Sequence, residues 1–238
     1  MRIARFVNME ACGSIFSDYS TFVLRSSEYY RRREYETGRG DERELEVRCT
    51  NGGTAKSGHF VLSCWTKLDR DEPTREEWNI FPDSVVAIVS TPSKVCTLLE
   101  RVFEMEDGKM QNRRRFPFTS VVHKTVTYID EVAEEITSDN IMDITVFTKR
   151  KKFTNQKEYR FALPYSIMPH MIDSYIFAKT PDDYMEKCFA NPEIKKEDKE
   201  SLRQNLENAM CGYGHFTNLR RCLESSLTQM FSFDRQPT

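Results

Sequence analysis

The 238-residue chain lacks most of the short motifs that mark common enzyme classes. Neither GxGxxG nor GxxxxGK followed by Ser or Thr occurs, so the sequence gives no support for a Rossmann or P-loop nucleotide site. No GxSxG turn is present, and the four histidines show neither HExxH spacing nor a neighbouring cysteine pair. We therefore expect neither an α/β-hydrolase nor a histidine-based metal site.

The chain also lacks a long apolar run and any CxxC pair, and we expect no secretory leader. A membrane-spanning helix needs about 20 consecutive apolar residues, and the N-terminus has no apolar core followed by a small-residue cleavage site. An odd number of scattered cysteines favours free thiols in a reducing compartment over a disulfide framework or a zinc site. The seven are Cys12, Cys49, Cys64, Cys96, Cys188, Cys211 and Cys222. We expect a soluble cytoplasmic protein that does not bind membranes.

The formal net charge is only −2, so the overall charge of the chain does not favour binding to nucleic acid or to an anionic membrane. Basic runs nevertheless occur at Arg31–Arg33, Arg113–Arg115 and Lys149–Lys152. A basic face for nucleic acid and an ordinary solvated surface both account for such runs.

The apolar pattern predicts an α+β fold in one domain. Strands are predicted at Arg2–Val7, His59–Thr66, Ser84–Ser90, Ser120–Ile129 and Asp143–Thr148, with a helix at Pro92–Met105 between them. Helical patterns then follow at Asp182–Ala190, Lys196–Met210 and Leu219–Phe231. We expect a mostly antiparallel α+β core over residues 1–180 and a helical C-terminal extension, residues 181–238, packed on it.

The segment Phe147–Leu163, FTKRKKFTNQKEYRFAL, is the most informative part of the chain. After four cations it alternates, which predicts a strand with Gln156, Glu158 and Arg160 on one face and Tyr159 with Phe161 on the other. A half-buried strand with a solvated polar face gives the same pattern.

Three separated elements together resemble the arginine, serine and glutamate pattern of ADP-ribosyltransferases. They are an arginine on the first strand, Arg5, a serine on an apolar middle strand, Ser63 in LSCWT, and the later Gln156-x-Glu158 in NQKEYR. Arg25 competes with Arg5 for the first role, and the middle strand departs from the family by reading Ser-Cys-Trp-Thr. Residues 1–165 also resemble an uncharacterised bacterial family with toxin-like and phage-defence members.

The resemblance implies that NAD is a substrate and that Glu158 is catalytic. Cleavage of the nicotinamide–ribose bond passes through an oxocarbenium-like transition state, so a carboxylate near the ribose gains most of its interaction there. Arg5 or Arg25 would bind the pyrophosphate, because a guanidinium fork engages two phosphate oxygens together. Ser63 would orient Glu158 or a ribose hydroxyl.

The remaining implied roles concern the nicotinamide ring and the acceptor. Tyr29, Tyr30 or Trp65 would stack on the ring. Gln156 would position the acceptor, and a glutamine at this place points away from arginine and towards another group, with nucleic acid, in particular RNA, favoured over protein by the basic runs. No metal cofactor is implied.

Two other readings remain open at this stage. A non-catalytic RNA-binding or protein-binding module would use the basic runs for phosphates and the tyrosines for stacking. An NAD glycohydrolase would use the same site with water as the acceptor. For a transferase, the resemblance implies a bacterial toxin with a neutralising antitoxin protein as partner.

Overall fold

The computed structural model describes residues 1–15, 21–26, 29–30, 46–48, 54–56, 60–109, 121–130, 141–164, 174–178 and 184–212. The chain divides into two compact units. The first unit comprises Met1–Phe22, Trp65–Leu98 and Phe177–Thr238, and the second comprises Val23–Cys64 and Leu99–Ile176. Strand pairs are mostly antiparallel, so the predicted α+β class is confirmed.

The described residues form twelve strands and five α-helices. The strands are β1 (Arg2–Val7), β2 (Thr21–Ser26), β3 (Glu46–Arg48), β4 (Thr54–Lys56), β5 (Phe60–Leu68), β6 (Val86–Ser90), β7 (Val122–Thr125), β8 (Thr127–Ile129), β9 (Thr148–Arg150), β10 (Glu158–Pro164), β11 (Ser174–Ala178) and β12 (Lys187–Ala190). The helices are α1 (Met9–Ile15), α2 (Arg75–Ile80), α3 (Pro92–Lys109), α4 (Ile141–Val146) and α5 (Lys196–Gly212), with a 3-10 helix at Lys151–Gln156.

The first unit is organised around β6, which lies between β1 and β12 in an antiparallel arrangement. All five residues of β6, VAIVS, are buried. A strand buried on both faces reads as a continuous apolar run, which is why the sequence predicted a central strand here. The end of β5 pairs with the other edge of β1, with Thr66 opposite Ala4.

One predicted helix of the first unit is a strand. Asp182–Ala190 was expected to be helical because Tyr184, Met185 and Phe189 fall on one face of a helix, but its last four residues form β12. Pairing with β6 satisfies the backbone of this segment, and that long-range partner is invisible to local periodicity. The predicted helix at Lys196–Met210 is confirmed as α5, whereas Leu219–Phe231 lies outside the described residues.

The second unit is organised around the first part of β5 and around β10. β2 pairs antiparallel with β5, where Arg25 lies opposite Leu62, and β10 pairs with both β5 and β7. β3 and β4 form a separate antiparallel pair, and β8 and β9 form a parallel pair. The predicted strand at Ser120–Ile129 is therefore present as two strands, β7 and β8.

The predicted strand at Asp143–Thr148 is wrong, because Ile141–Val146 is helix α4 and β9 begins only at Thr148. A short buried apolar run does not distinguish a helix from a strand by its period alone. Val146 and Phe147, at the end of α4, join Leu62 of β5 and Ala162 of β10 in a buried apolar cluster. Because side chains alternate along a strand, Ala162 of this cluster lies on the same face of β10 as Glu158 and Arg160.

Candidate functional site

The approach to β10 is a tight turn. The 3-10 helix ends at Lys157, which adopts a left-handed conformation with φ 45° and ψ 44°, and the Lys157 N–H donates to the carbonyl of Thr154 at 3.1 Å. Among the described residues it is the one non-glycine residue with positive φ, a conformation that is uncommon outside glycine.

This turn corrects the predicted placement of Gln156 relative to Glu158. Because β10 begins at Glu158, Gln156 lies in the 3-10 helix and not on the strand. The predicted row of Gln156, Glu158 and Arg160 on one strand face therefore holds for Glu158 and Arg160 alone. Gln156 is half-buried.

Glu158 and Arg160 form a two-pronged ion pair. The Arg160 Nε donates to Glu158 Oε1 at 2.8 Å, and Nη2 donates to Oε2 at 3.0 Å. The remaining Nη1 donates to the carbonyl of Val146 at 2.6 Å. Arg160 is only 2% exposed and Glu158 8%, so these two side chains lie in the interior and the alternative of a solvated polar face does not hold for them.

Lys149 is the third member of the cluster. Its Nζ lies 3.3 Å from Glu158 Oε2, and the residue is 6% exposed. In the sequence Lys149 is part of a basic run of the kind found on solvated surfaces. In the structure its position on β9 places it in the interior, beside the Glu158 carboxylate. Two cations thus contact one buried anion, and we call Lys149, Glu158 and Arg160 the ion cluster.

Two uncharged groups also contact Glu158. The Tyr128 hydroxyl of β8 accepts the backbone N–H of Glu158 at 2.7 Å, and the Cys64 thiol donates to the Glu158 carboxylate. Burial, together with the nearby Glu158 charge, raises the pKa of Tyr128 to about 12, so its phenol is neutral near pH 7.

The charge state of Glu158 follows from a balance of opposing effects. Burial alone would raise its pKa, but the charges of Arg160 and Lys149 outweigh burial and hold the pKa well below its usual range. Hydrogen bonds from Arg160 and the Cys64 thiol act in the same direction. Glu158 is therefore an ionised carboxylate in the protein interior.

The middle strand contributes a different residue from the one predicted. Successive residues of a strand project to opposite faces, so the Cys64 thiol at Glu158 puts Ser63 on the other face of β5. Ser63 is completely buried. Which residues of Ser-Cys-Trp-Thr face Glu158 depends on the register between β5 and β10. A single sequence does not reveal that register.

Arg25, Tyr29 and Tyr30 lie in the same unit as Glu158 and contact one another in series. The Arg25 Cζ lies 4.4 Å from the centre of the Tyr29 ring. The Tyr29 and Tyr30 rings are 6.0 Å apart and nearly perpendicular, and Tyr30 packs against the apolar cluster that contains Leu62. This series anchors a guanidinium and an aromatic ring on the core of the second unit.

Arg5 and Trp65 belong to the first unit. Arg5 is half-buried on β1 opposite Ile88, so its convergence with Ser63 and Glu158 stays a prediction. Trp65 is 2% exposed and is one of the largest fully buried side chains. Its ring is covered by protein, so the predicted stacking of Trp65 on nicotinamide is not retained.

Within the described ranges, no helix is long and apolar enough to cross a membrane. The same residues contain no group of three or more His, Cys, Asp and Glu side chains that could hold a metal ion.

Comparison with protein-family models, with curated proteins and with solved structures gives no match.

Proposed function

We propose that the chain is an NAD-dependent ADP-ribosyltransferase that transfers ADP-ribose to a macromolecule. The observation that carries the proposal is the Glu158 carboxylate, buried yet kept ionised by Arg160 and Lys149. A carboxylate in a protein interior interacts with developing charge more strongly than one in water. The proposal includes the fold, an ADP-ribosyltransferase-like arrangement of two small packed sheets with flanking helices.

The reaction exchanges one bond at the ribose for another. The bond between C1′ and the nicotinamide nitrogen breaks, and its electron pair leaves with the ring as neutral nicotinamide. Positive charge develops on the ribose in an oxocarbenium-like transition state, which Glu158 opposes. A nucleophilic atom of the acceptor then bonds to C1′ and releases its proton to solvent.

Glu158 has one contact that a substrate can replace. A carboxylate accepts about four hydrogen bonds, and Arg160 and the Cys64 thiol engage it alongside Lys149. The Lys149 contact, at 3.3 Å, is the longest of the three charged contacts. In the proposed complex a ribose hydroxyl takes the place of the Lys149 ammonium, which then neutralises part of the pyrophosphate charge.

Arg25 is the arginine that we assign to the NAD phosphates. It shares the second unit with Glu158, and it lies beside Tyr29, which offers a ring for nicotinamide. A guanidinium that already rests on an aromatic ring loses less freedom when it binds phosphate.

One observation favours a second candidate function, NAD glycohydrolase. Gln156 was expected to position a macromolecular acceptor from the Glu158 face, but it lies in the 3-10 helix before the strand. Water needs less positioning than a large acceptor, so hydrolysis does not require an amide beside Glu158 on the strand face. The basic segment that precedes Gln156 favours transfer to nucleic acid, and we place transfer first.

The test uses NAD labelled in its adenylate phosphate, with and without a cell lysate. The transferase proposal expects label in the macromolecular fraction, released by ribonuclease and retained after protease. Release of free ADP-ribose at equal rates with and without lysate would assign the glycohydrolase, and intact NAD in both reactions would overturn both functions. With the transferase activity we also propose, from the family resemblance, that the chain is a bacterial toxin. An antitoxin protein would neutralise it, in a toxin–antitoxin or phage-defence system.

A further inference from the structure

An aromatic ring surrounded by cations lies on the turn before β10. The Phe153 ring centre is 4.8 Å from Lys152 Nζ, 5.1 Å from Lys149 Nζ and 6.0 Å from Arg150 Cζ. Phe153 is half-buried. We call the segment Lys149–Lys157, KRKKFTNQK, the basic turn.

The basic turn carries five cations and no acidic residue. Lys149 is buried and contacts Glu158. Lys151 pairs with Asp130 at 3.1 Å, but both side chains are well exposed, and such pairs are weak and screened by salt. Lys152 is exposed as well. The turn therefore presents concentrated positive charge around one aromatic ring.

The backbone holds this arrangement in place. The left-handed Lys157 closes the turn onto Thr154, and the Thr154 hydroxyl donates to the carbonyl of Lys151. Strand β9 on one side of the turn pairs with β8, and β10 on the other side pairs with β7. A ring held on such a turn binds a partner with little loss of conformational entropy.

We propose that the basic turn binds single-stranded nucleic acid, with one base stacked on Phe153 and the flanking phosphates paired with Arg150, Lys151 and Lys152. Unpaired bases stack on aromatic side chains while cations follow the backbone. Duplex nucleic acid keeps its bases inside, and an acidic protein needs the cations but not the ring. The position of Phe153 among the cations therefore favours single-stranded nucleic acid over a duplex and over an acidic protein. This inference concerns binding and does not depend on the NAD chemistry.

The test measures binding of a fluorescein-labelled 12-nucleotide strand by fluorescence anisotropy, without NAD, at 50 and 200 mM salt. The same sequence is compared as RNA, as DNA and as a duplex. Phe153→Ala and Phe153→Leu should each weaken single-strand binding roughly 5- to 150-fold, the usual range for one stacked base. Phe153→Trp keeps a flat ring and should bind at least as tightly as the natural protein.

The cations have a separate signature. Lys152→Ala should flatten the dependence of log K on log salt concentration by about one, because one phosphate contact is lost. Lys195→Ala is the matched control, since Lys195 is an exposed lysine of the first unit. It should leave both the affinity and the salt dependence unchanged.

Three outcomes would overturn the inference. They are wild-type affinity in Phe153→Ala, equal binding of duplex and single strand, and binding of polyglutamate without binding of any oligonucleotide. Binding of RNA, of DNA or of both with the stated Phe153 dependence would support it, and the stronger of the two identifies the natural strand. Circular dichroism melting of each variant separates a lost contact from a lost fold.

Discussion

Arg160 and Glu158, two residues apart on β10, form a two-pronged ion pair inside the second unit, with contacts of 2.8 and 3.0 Å. Removing one partner of a buried pair is costly because the other charge stays in the interior. Arg160 is therefore as important for the fold as Glu158 is for the proposed chemistry.

Replacing Arg160 with Met should destabilise the protein by up to about 3 to 5 kcal/mol, since the substitution leaves the Glu158 carboxylate with Lys149 as its one charged partner in the cluster. Urea unfolding monitored by circular dichroism measures the change. Arg203→Met is the matched control, because Arg203 pairs with Glu200 and Glu207 on the exposed face of α5. A loss of stability no larger in Arg160→Met than in this control would contradict the buried ion pair.

The charge balance of the ion cluster predicts a non-additive pair of mutations. Glu158→Gln leaves Lys149 and Arg160 facing each other without their shared anion. Adding Lys149→Met removes one of these cations and restores the net charge of the natural cluster. The double variant should therefore be more stable than Glu158→Gln alone, a difference that urea unfolding of the four proteins in the cycle measures. Additive losses would mean that the two cations do not act on one carboxylate.

The same variants test catalysis, provided that circular dichroism shows both proteins to be folded under the assay conditions. NAD turnover in Lys149→Met/Glu158→Gln should be about 10² to 10³ lower than in Lys149→Met, with little change in NAD affinity, because in the proposed reaction the carboxylate acts on the transition state. Initial rates and isothermal titration of NAD give the two quantities. Equal turnover in these two folded proteins would remove Glu158 from the mechanism.

Stability should fall in acid through Glu158. Its pKa is lower in the folded state than in the unfolded chain, where a glutamate titrates near about 4.3. Between the two pKa values the unfolded chain binds a proton that the folded protein does not. The contribution of Glu158 to the free energy of unfolding is therefore fully present above the unfolded pKa, and it is lost as the pH falls towards the lower folded pKa. Free energies of unfolding between pH 3 and 7 should show this slope. The slope should be shallower in Lys149→Met/Glu158→Gln, and an unchanged slope there would assign the acid sensitivity to other carboxyls.

Cys12 should be inert in the native protein. It is completely buried, and burial raises the pKa of its thiol to about 12, so almost no thiolate exists near pH 8. Labelling with iodoacetamide at pH 8, followed by peptide mass spectrometry, should leave Cys12 unmodified until urea unfolds the chain. Rapid native labelling of Cys12 would show that α1 opens readily.

Local patterns predicted the elements whose partners are near in sequence or whose burial is uniform. β6 and α3 were found because continuous apolar character and helical spacing are properties of the segments themselves. The Glu158–Arg160 contact followed from the two-residue period of a strand.

The parts that the sequence did not predict depend on long-range pairing. Lys149 looked like a surface cation because its anion, nine residues away, is reached only through the turn at Lys157. A lysine in the left-handed region has no sequence signature, so Gln156 was placed on the wrong element. The contact between Cys64 and Glu158 was not predicted, because the register between β5 and β10 determines which residue of β5 faces Glu158.

The order of the strands has a consequence for how the chain is made. β6 needs β12, which follows it by about 100 residues, and each unit is assembled from segments that alternate along the chain. At about 5 to 20 residues per second, a ribosome takes roughly 5 to 20 seconds to deliver the missing strand. During that interval the apolar edge of β6 is an unpaired template for other chains. Newly synthesised protein should therefore depend on chaperones that shield β6 until translation passes residue 190.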